Sequence, residues 1–250
     1  MNNKMVNPYF EKFKVRAAEI GPNGKAKFSV LINFFQEAAW QHADALGVSV
    51  PALMEKGHTW VLHRLFLRVV KPVEKNEVVE VETWPSGIEK FFTFRDMRFK
   101  NERQELVAEG CTAWVVIDIE KRRLIPVPDY ITGGNFVIEN NHLPHPTDKL
   151  PSLGEAISGP GFQVYYQHLD QNNHVNNVHY LEWMLASLPQ DYLLHMSLKE
   201  IDIQFKSECV LNDEITSEFQ QLSDTEIIHS LKEKYSKREV ARAISTWEER

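Results

Sequence analysis

Cysteine is scarce: Cys111 and Cys209 lie far apart and outside any CxxC pair. That spacing argues against a structural zinc site and a disulfide framework, and both are expected as thiols in a reducing compartment. No apolar run approaches the roughly eighteen residues that a membrane-crossing helix requires, so no membrane span is expected. Positive charge is also short, with 28 Lys and Arg against 35 Asp and Glu and a formal net charge of −7. The balance offers no support for wrapping nucleic acid. The opening MNNKMVNPYFEKFKVRAAEI has neither an apolar signal core nor an Arg- and Ser-rich leader, which implies a cytoplasmic protein. A glycine-rich phosphate loop is missing as well, and no cofactor is expected.

What is present points to a folded chain: 43% of the 250 residues are hydrophobic and 25% charged, enough to bury a substantial core. Alternating β-branched and aromatic residues predict strands at EVVEVETW (77–84), FFTFRDMRF (91–99), IDIQFKSE (201–208) and EITSEF (214–219), in a largely antiparallel sheet. Helical spacing appears in SVLINFFQEAAWQHADALG (29–47), ended by Gly47, and in NVHYLEWMLASL (177–188), ended by Pro189. Between them, a Pro-, Gly- and Asn-rich stretch reads as a linker with short ordered pieces, so the expected division is 1–125, a linker over 126–160, and 161–250.

The two halves resemble each other. FKVRAAEIGPNG (13–24) matches FQVYYQHLDQNN (162–173), KNEVVEV (75–81) matches LNDEITS (211–217), and VAEGCTAW (107–114) matches VARAISTW (240–247). Two copies of an α+β unit, a helix with an antiparallel sheet, are therefore expected, each covering what a lone copy would expose. In this alignment GPNGK (21–25) stands opposite Asp170 to His174, and with a one-residue gap ahead of KNEVVEV, Lys71 and Pro72 stand opposite Glu208 and Cys209. The first copy lacks the carboxylates and imidazole, so one active site per chain is expected.

LDQNNHVNNVHYLEWMLASLP (169–189) resembles a signature of the acyl-acyl-carrier-protein thioesterases, the group that includes the plant fatty-acid chain terminators, and FKSECVLNDEI (205–215) resembles a second one. NFFQEAAWQHADALG, WVLHRLFLRVVKP, VETWPSG and AWVVIDIEKRRL are similar to that family's N-terminal half. The resemblance covers roughly residues 8 to 248 and implies a double hotdog fold, two long helices each wrapped by a curved antiparallel sheet. It implies hydrolysis of the thioester that joins a fatty acyl chain to carrier-protein phosphopantetheine. The family's catalytic set falls on Asp170, Asn172, His174 and Glu208, with Cys209 a further candidate. The missing chloroplast leader suggests a bacterial relative.

These residue types suit the chemistry, because thioester hydrolysis needs a base or nucleophile, oxyanion donors and orientation of both. Asp170, Asn172 and His174 alternate, which in an extended segment sends their side chains to one side, ahead of a helix start with free N–H groups. The competing reading is that the acid and amides cap the helix. Glu208 is either a second carboxylate of the site or a solvated edge charge. Cys209 could serve as a thiol nucleophile with His174 as base, although strand alternation would turn it away from Glu208. Candidate acyl-pocket walls are Phe34, Phe35, Ala38, Ala39, Trp60, Val61 and Leu62, or else these are plain core.

Docking of an acidic acyl carrier protein would call on Lys121, Arg122 and Arg123, with Arg64, Arg68, Lys71, Lys199 and Lys206 as further candidates. His168, His174 and His179 make no closed metal-ligand set. Other readings on the same fold are an acyl-CoA thioesterase and a non-catalytic acyl-binding protein. Pairing into a homodimer is left open.

Overall fold

A computed structural model of the chain describes residues 7–133, 136–138 and 143–250. It divides into two compact units between Thr147 and Asp148. Among the described residues, no helix is long and apolar enough to cross a membrane.

In the first unit, β1 (Tyr9–Lys14) is followed by the long helix α1 (Phe28–Ala45) and the short α2 (Val50–Met54). Strands β2 (His58–Val69), β3 (Val78–Ile88), β4 (Thr93–Lys100), β5 (Leu106–Asp118) and β6 (Arg123–Ile125) then precede the single turn α3 (Asp129–Thr132). The strands pair antiparallel in the order β1-β3-β4-β5-β2, with β6 on β5. Helix α1 lies against β1 and β3 because Leu31, Phe35, Ala38 and His42 recur at helical spacing and bury one stripe. Full burial of a side chain such as Phe35 contributes about 2 kcal/mol. Gly47 ends the helix at φ +72 and donates its N–H to Asp44 O, a left-handed stop that glycine adopts without strain.

The second unit repeats the plan: β7 (Ile157–Gln163), α4 (Asn177–Ala186), α5 (Gln190–His195), β8 (Met196–Phe205), β9 (Glu214–Gln221), β10 (Glu226–Glu233) and β11 (Glu239–Glu249). Its antiparallel order is β8-β11-β10-β9-β7. Helix α4 packs on β10, β9 and β7 through Val178, Leu181 and Met184. A long helix laid on an antiparallel sheet, twice in tandem, is the double hotdog.

The segment 126–160 contributes structure to both units. Val127 and Ile131 are buried with Val48, Leu53 and Val116, and β7 starts at Ile157. Residues 134–135 and 139–142 of that segment, and residues 1–6 of the expected leaderless start, lie outside the described residues.

The internal repeat is visible in the hydrogen bonds. Val15 N–H donates to Glu77 O at 2.9 Å and accepts Asn76 N–H at its own carbonyl. Val164 does the same with Asp213 O at 2.8 Å and Asn212 N–H at 3.0 Å. Asn76 and Asn212 both sit at φ +71, a conformation that asparagine tolerates better than most residues. Phe13 stacks on Phe34, and Phe162 stacks on Trp183. This geometry keeps the match of KNEVVEV with LNDEITS and removes the one-residue gap ahead of it. Ala26 N–H donates to Val73 O and Val175 N–H to Cys209 O, so Cys209 stands opposite Val73, and Glu208 opposite Pro72.

Candidate active site

The Asn-rich stretch folds into a turn, which corrects the expected extended geometry. Leu169 and Val175 pair across it. Asp170 N–H donates to His174 O at 2.8 Å, and Asn173, at φ +61, donates its N–H to Asp170 O at 3.1 Å. The Asp170 side chain folds over its own loop: Oδ1 accepts the N–H groups of Asn172 at 2.8 Å and His174 at 3.2 Å. Such local side-chain-to-backbone bonds are what Asp and Asn offer in place of regular structure. Capping of α4 falls instead to Asn176, whose Oδ1 accepts Val178 N–H at 3.1 Å. One N–H that the helix start was expected to leave free is thus occupied. Asn172 is exposed at the turn.

Glu208 comes to this turn from the chain just past β8. Strand β8 stops at Phe205, short of the expected 208, because Lys206 and Ser207 both turn their N–H groups to Val240 O, at 2.9 and 3.2 Å. Glu208 and Cys209 therefore diverge through a turn in the chain and not through strand alternation. Glu208 Oε2 lies 3.3 Å from His174 Nε2, with the two side chains 45% and 38% exposed. A neutral imidazole in that contact carries its proton on Nε2, leaving Nδ1 as a lone-pair acceptor. The pair supplies a base and the carboxylate that orients it.

Cys209 points the other way. It is 1% exposed, and burial pushes its thiol up to about 11, so the nucleophilic thiolate is scarce near neutrality. It fills the place that Val73 fills in the first unit. Cys209→Ala is expected to keep at least half of wild-type kcat, with Tm lowered by the lost packing, and alkylation by iodoacetamide should be slow until the protein unfolds. Complete inactivation of a folded Cys209→Ala protein would restore the thiol as a nucleophile.

Sequence reasoning missed Tyr180 on α4. Its hydroxyl accepts Cys209 N–H at 3.1 Å and donates to Ser207 O at 3.4 Å. Burial raises its pKa, so the phenol stays protonated. In the repeat it stands opposite Leu31, and a hydroxyl where the sister copy is apolar was the available signal.

His168 and His179 form a separate aromatic group with Trp183, their rings 4.9 Å apart. His168 Nδ1 accepts Tyr165 N–H, and His179 Nδ1 meets Glu182 at 2.8 Å. Burial, then His179, lowers the pKa of His168. Among the described residues no cluster of three or more His, Cys, Asp or Glu could hold a metal ion.

The pocket candidates lie in the first unit's interior: Phe34, Phe35, Ala38, Ala39 and Leu62 are buried, and Val61 is half-buried. Half-buried Trp60 donates its indole N–H to Val48 O and packs near α2, beside Leu53 and Ile131. Of the basic candidates, Arg64 is buried, while Arg68, Lys71, Lys121, Lys199 and Lys206 each pair with a carboxylate. Arg122 and Arg123 are exposed at the β5–β6 turn, beside the exposed Ile119 and Leu124.

Comparison with known proteins bears on both units. The oleoyl-acyl carrier protein thioesterase 1 of Arabidopsis thaliana, a chloroplast protein, is 29% identical over 96% of this chain and 75% of its own length. The thioesterase 2 of that plant is 30% identical over 89% of the chain, which spans only 65% of that protein's length. The solved structure of the 12:0-ACP thioesterase from Umbellularia californica superposes with a TM-score of 0.88 at 22% identity, covering 97% of this chain and 98% of that one. The acyl-ACP thioesterase N-terminal domain matches residues 7–134 and the C-terminal domain residues 154–249. Matched over both units in that order, the chain belongs to the acyl-ACP thioesterase family.

Proposed function

We propose that the C-terminal unit holds the catalytic centre with which this chain hydrolyses fatty acyl thioesters of acyl carrier protein, releasing the free acid and ending chain elongation. The observation that carries the assignment is the His174–Glu208 contact beside the Asp170 turn, together with the absence of both side chains from the matching place in the first unit. There, Lys25 pairs with Glu74 instead.

In this mechanism His174 Nδ1 takes a proton from water, and the resulting hydroxide attacks the thioester carbonyl. Glu208 steadies the imidazolium that forms. The exposed Asn172 amide is the candidate donor to the oxyanion. Collapse of the tetrahedral intermediate breaks the carbon–sulfur bond, and His174 returns its proton to the departing pantetheine thiolate. Asp170 acts as the brace that fixes the His174 backbone.

Mass spectrometry of acyl carrier proteins bearing graded acyl chains, incubated with the protein, tests the reading. Chain-length-selective loss of the acyl group, faster than from matched coenzyme A thioesters, is the expected result. Survival of every thioester while the protein still binds acyl chains would replace the enzyme with an acyl-binding protein. Faster cleavage of coenzyme A thioesters would move the substrate class.

Arg122 and Arg123 are the proposed contact for the acidic carrier. Replacing both with Ala is expected to raise KM for acyl carrier protein roughly three- to tenfold, the range for two exposed charge pairs, and to flatten its dependence on salt. KM for acyl-CoA should hold constant. An unaltered salt dependence would remove the two arginines from the docking surface.

A further inference from the structure

We propose that the Tyr180 hydroxyl is a positioning group for catalysis: it clamps the two peptide groups that flank Glu208 and thereby sets where that carboxylate meets His174. The inference rests on the reading of His174 and Glu208 as the catalytic pair. Ser207 O accepts the phenol proton, and the phenol oxygen in turn accepts Cys209 N–H, so one side chain bridges both sides of residue 208. The Glu208 backbone lies past the last residue of β8, where no strand ladder defines it. Ser207 N–H on Val240 O and Val175 N–H on Cys209 O hold the chain on either side, and the phenol spans the residue between them.

The phenol is suited to that task because its ring is held. Tyr180 is 3% exposed, edge-on to Phe205 at 5.5 Å and against Trp183 at 5.8 Å. It sits in the first turns of α4, the helix that begins just after the His174 turn, and Val175 N–H ties that turn to Cys209 O at 2.9 Å. Both members of the pair are thus anchored to one helix, His174 through the chain and Glu208 through the hydroxyl. Where the first unit has Pro72 in place of Glu208, it has Leu31 in place of Tyr180. The hydroxyl is found in the copy that carries the carboxylate.

The test is a double-mutant cycle in the full chain. Tyr180→Phe keeps the ring and removes the clamp, so kcat should fall about 10- to 100-fold, the scale of a small misplacement of a catalytic group, with KM unchanged. Glu208→Gln alone reports on the underlying reading, and in that background Tyr180→Phe should cost less than about twofold, since the group it positions has already lost its charge. Wild-type kcat in Tyr180→Phe, or losses that multiply in the double variant, would overturn the clamp and leave Glu208 catalytic. Full activity of Glu208→Gln would instead overturn the reading beneath it, and the clamp with it. Tyr180→Leu, copying Leu31, enters the same cycle if Tyr180→Phe folds poorly.

Discussion

His174→Gln is expected to lower kcat about 10³-fold, within the range a positioned general base contributes, while KM stays within about twofold of wild type. Glutamine keeps a polar group of similar reach and cannot carry the proton. Glu208→Gln should cost less, about 10²-fold, because the imidazole remains while the charge that orients it and stabilises its protonated form is gone. Neither variant should unfold the protein. The two side chains are 38% and 45% exposed, and even a charged pair so well solvated contributes at most about 1 kcal/mol. Equal Tm values alongside a collapse in kcat separate this pair from a structural salt bridge. A Tm loss that tracks the activity loss would make it structural.

Asp170→Ala is expected to lower kcat about 10²-fold and to destabilise the unit by about 1–2 kcal/mol, since two backbone N–H groups lose their acceptor. Asp170→Asn is the informative partner. Its amide oxygen can still accept the Asn172 and His174 N–H groups that now meet Oδ1, so it should recover the stability and at least tenfold of the activity. A nucleophilic carboxylate predicts the opposite, with Asn as inactive as Ala. Hydrolysis in ¹⁸O water adds a positive test of the covalent route: solvent oxygen in the Asp170 carboxylate after one turnover would establish an acyl-enzyme opened by water at the Asp170 carbonyl, a label that direct attack of water on the thioester does not place.

The parts of this architecture that were legible in the sequence are those with strong periodicity and strong punctuation. Helices α1 and α4 follow from apolar spacing closed by Gly47 and Pro189, and β3, β4 and β9 from alternation. The site residues were legible as types but not as geometry. Asp-Gln-Asn-Asn is turn chemistry, yet the alternation of Asp170, Asn172 and His174 suggested an extended segment. What decides the matter is the pairing of Asp170 with His174 across the turn. The end of β8 was misjudged for a similar reason, since the alternation of IDIQF runs on into KSE, while the ladder stops where Lys206 and Ser207 share one acceptor. The gap ahead of KNEVVEV has no counterpart in the structure, where Val73 and Cys209 carbonyls accept the matching N–H groups of Ala26 and Val175. Tyr180 was invisible for another reason: on an apolar helix face it reads as core, and its partners lie near residue 208, far along the chain.

The most direct test of the central claim is the single-turnover rate of acyl-carrier-protein cleavage with saturating enzyme, measured for wild type and His174→Gln. The account predicts that the variant still binds the acylated carrier while its chemical step slows by about 10³-fold. A folded His174→Gln protein that cleaves the bound thioester at the wild-type rate would contradict it.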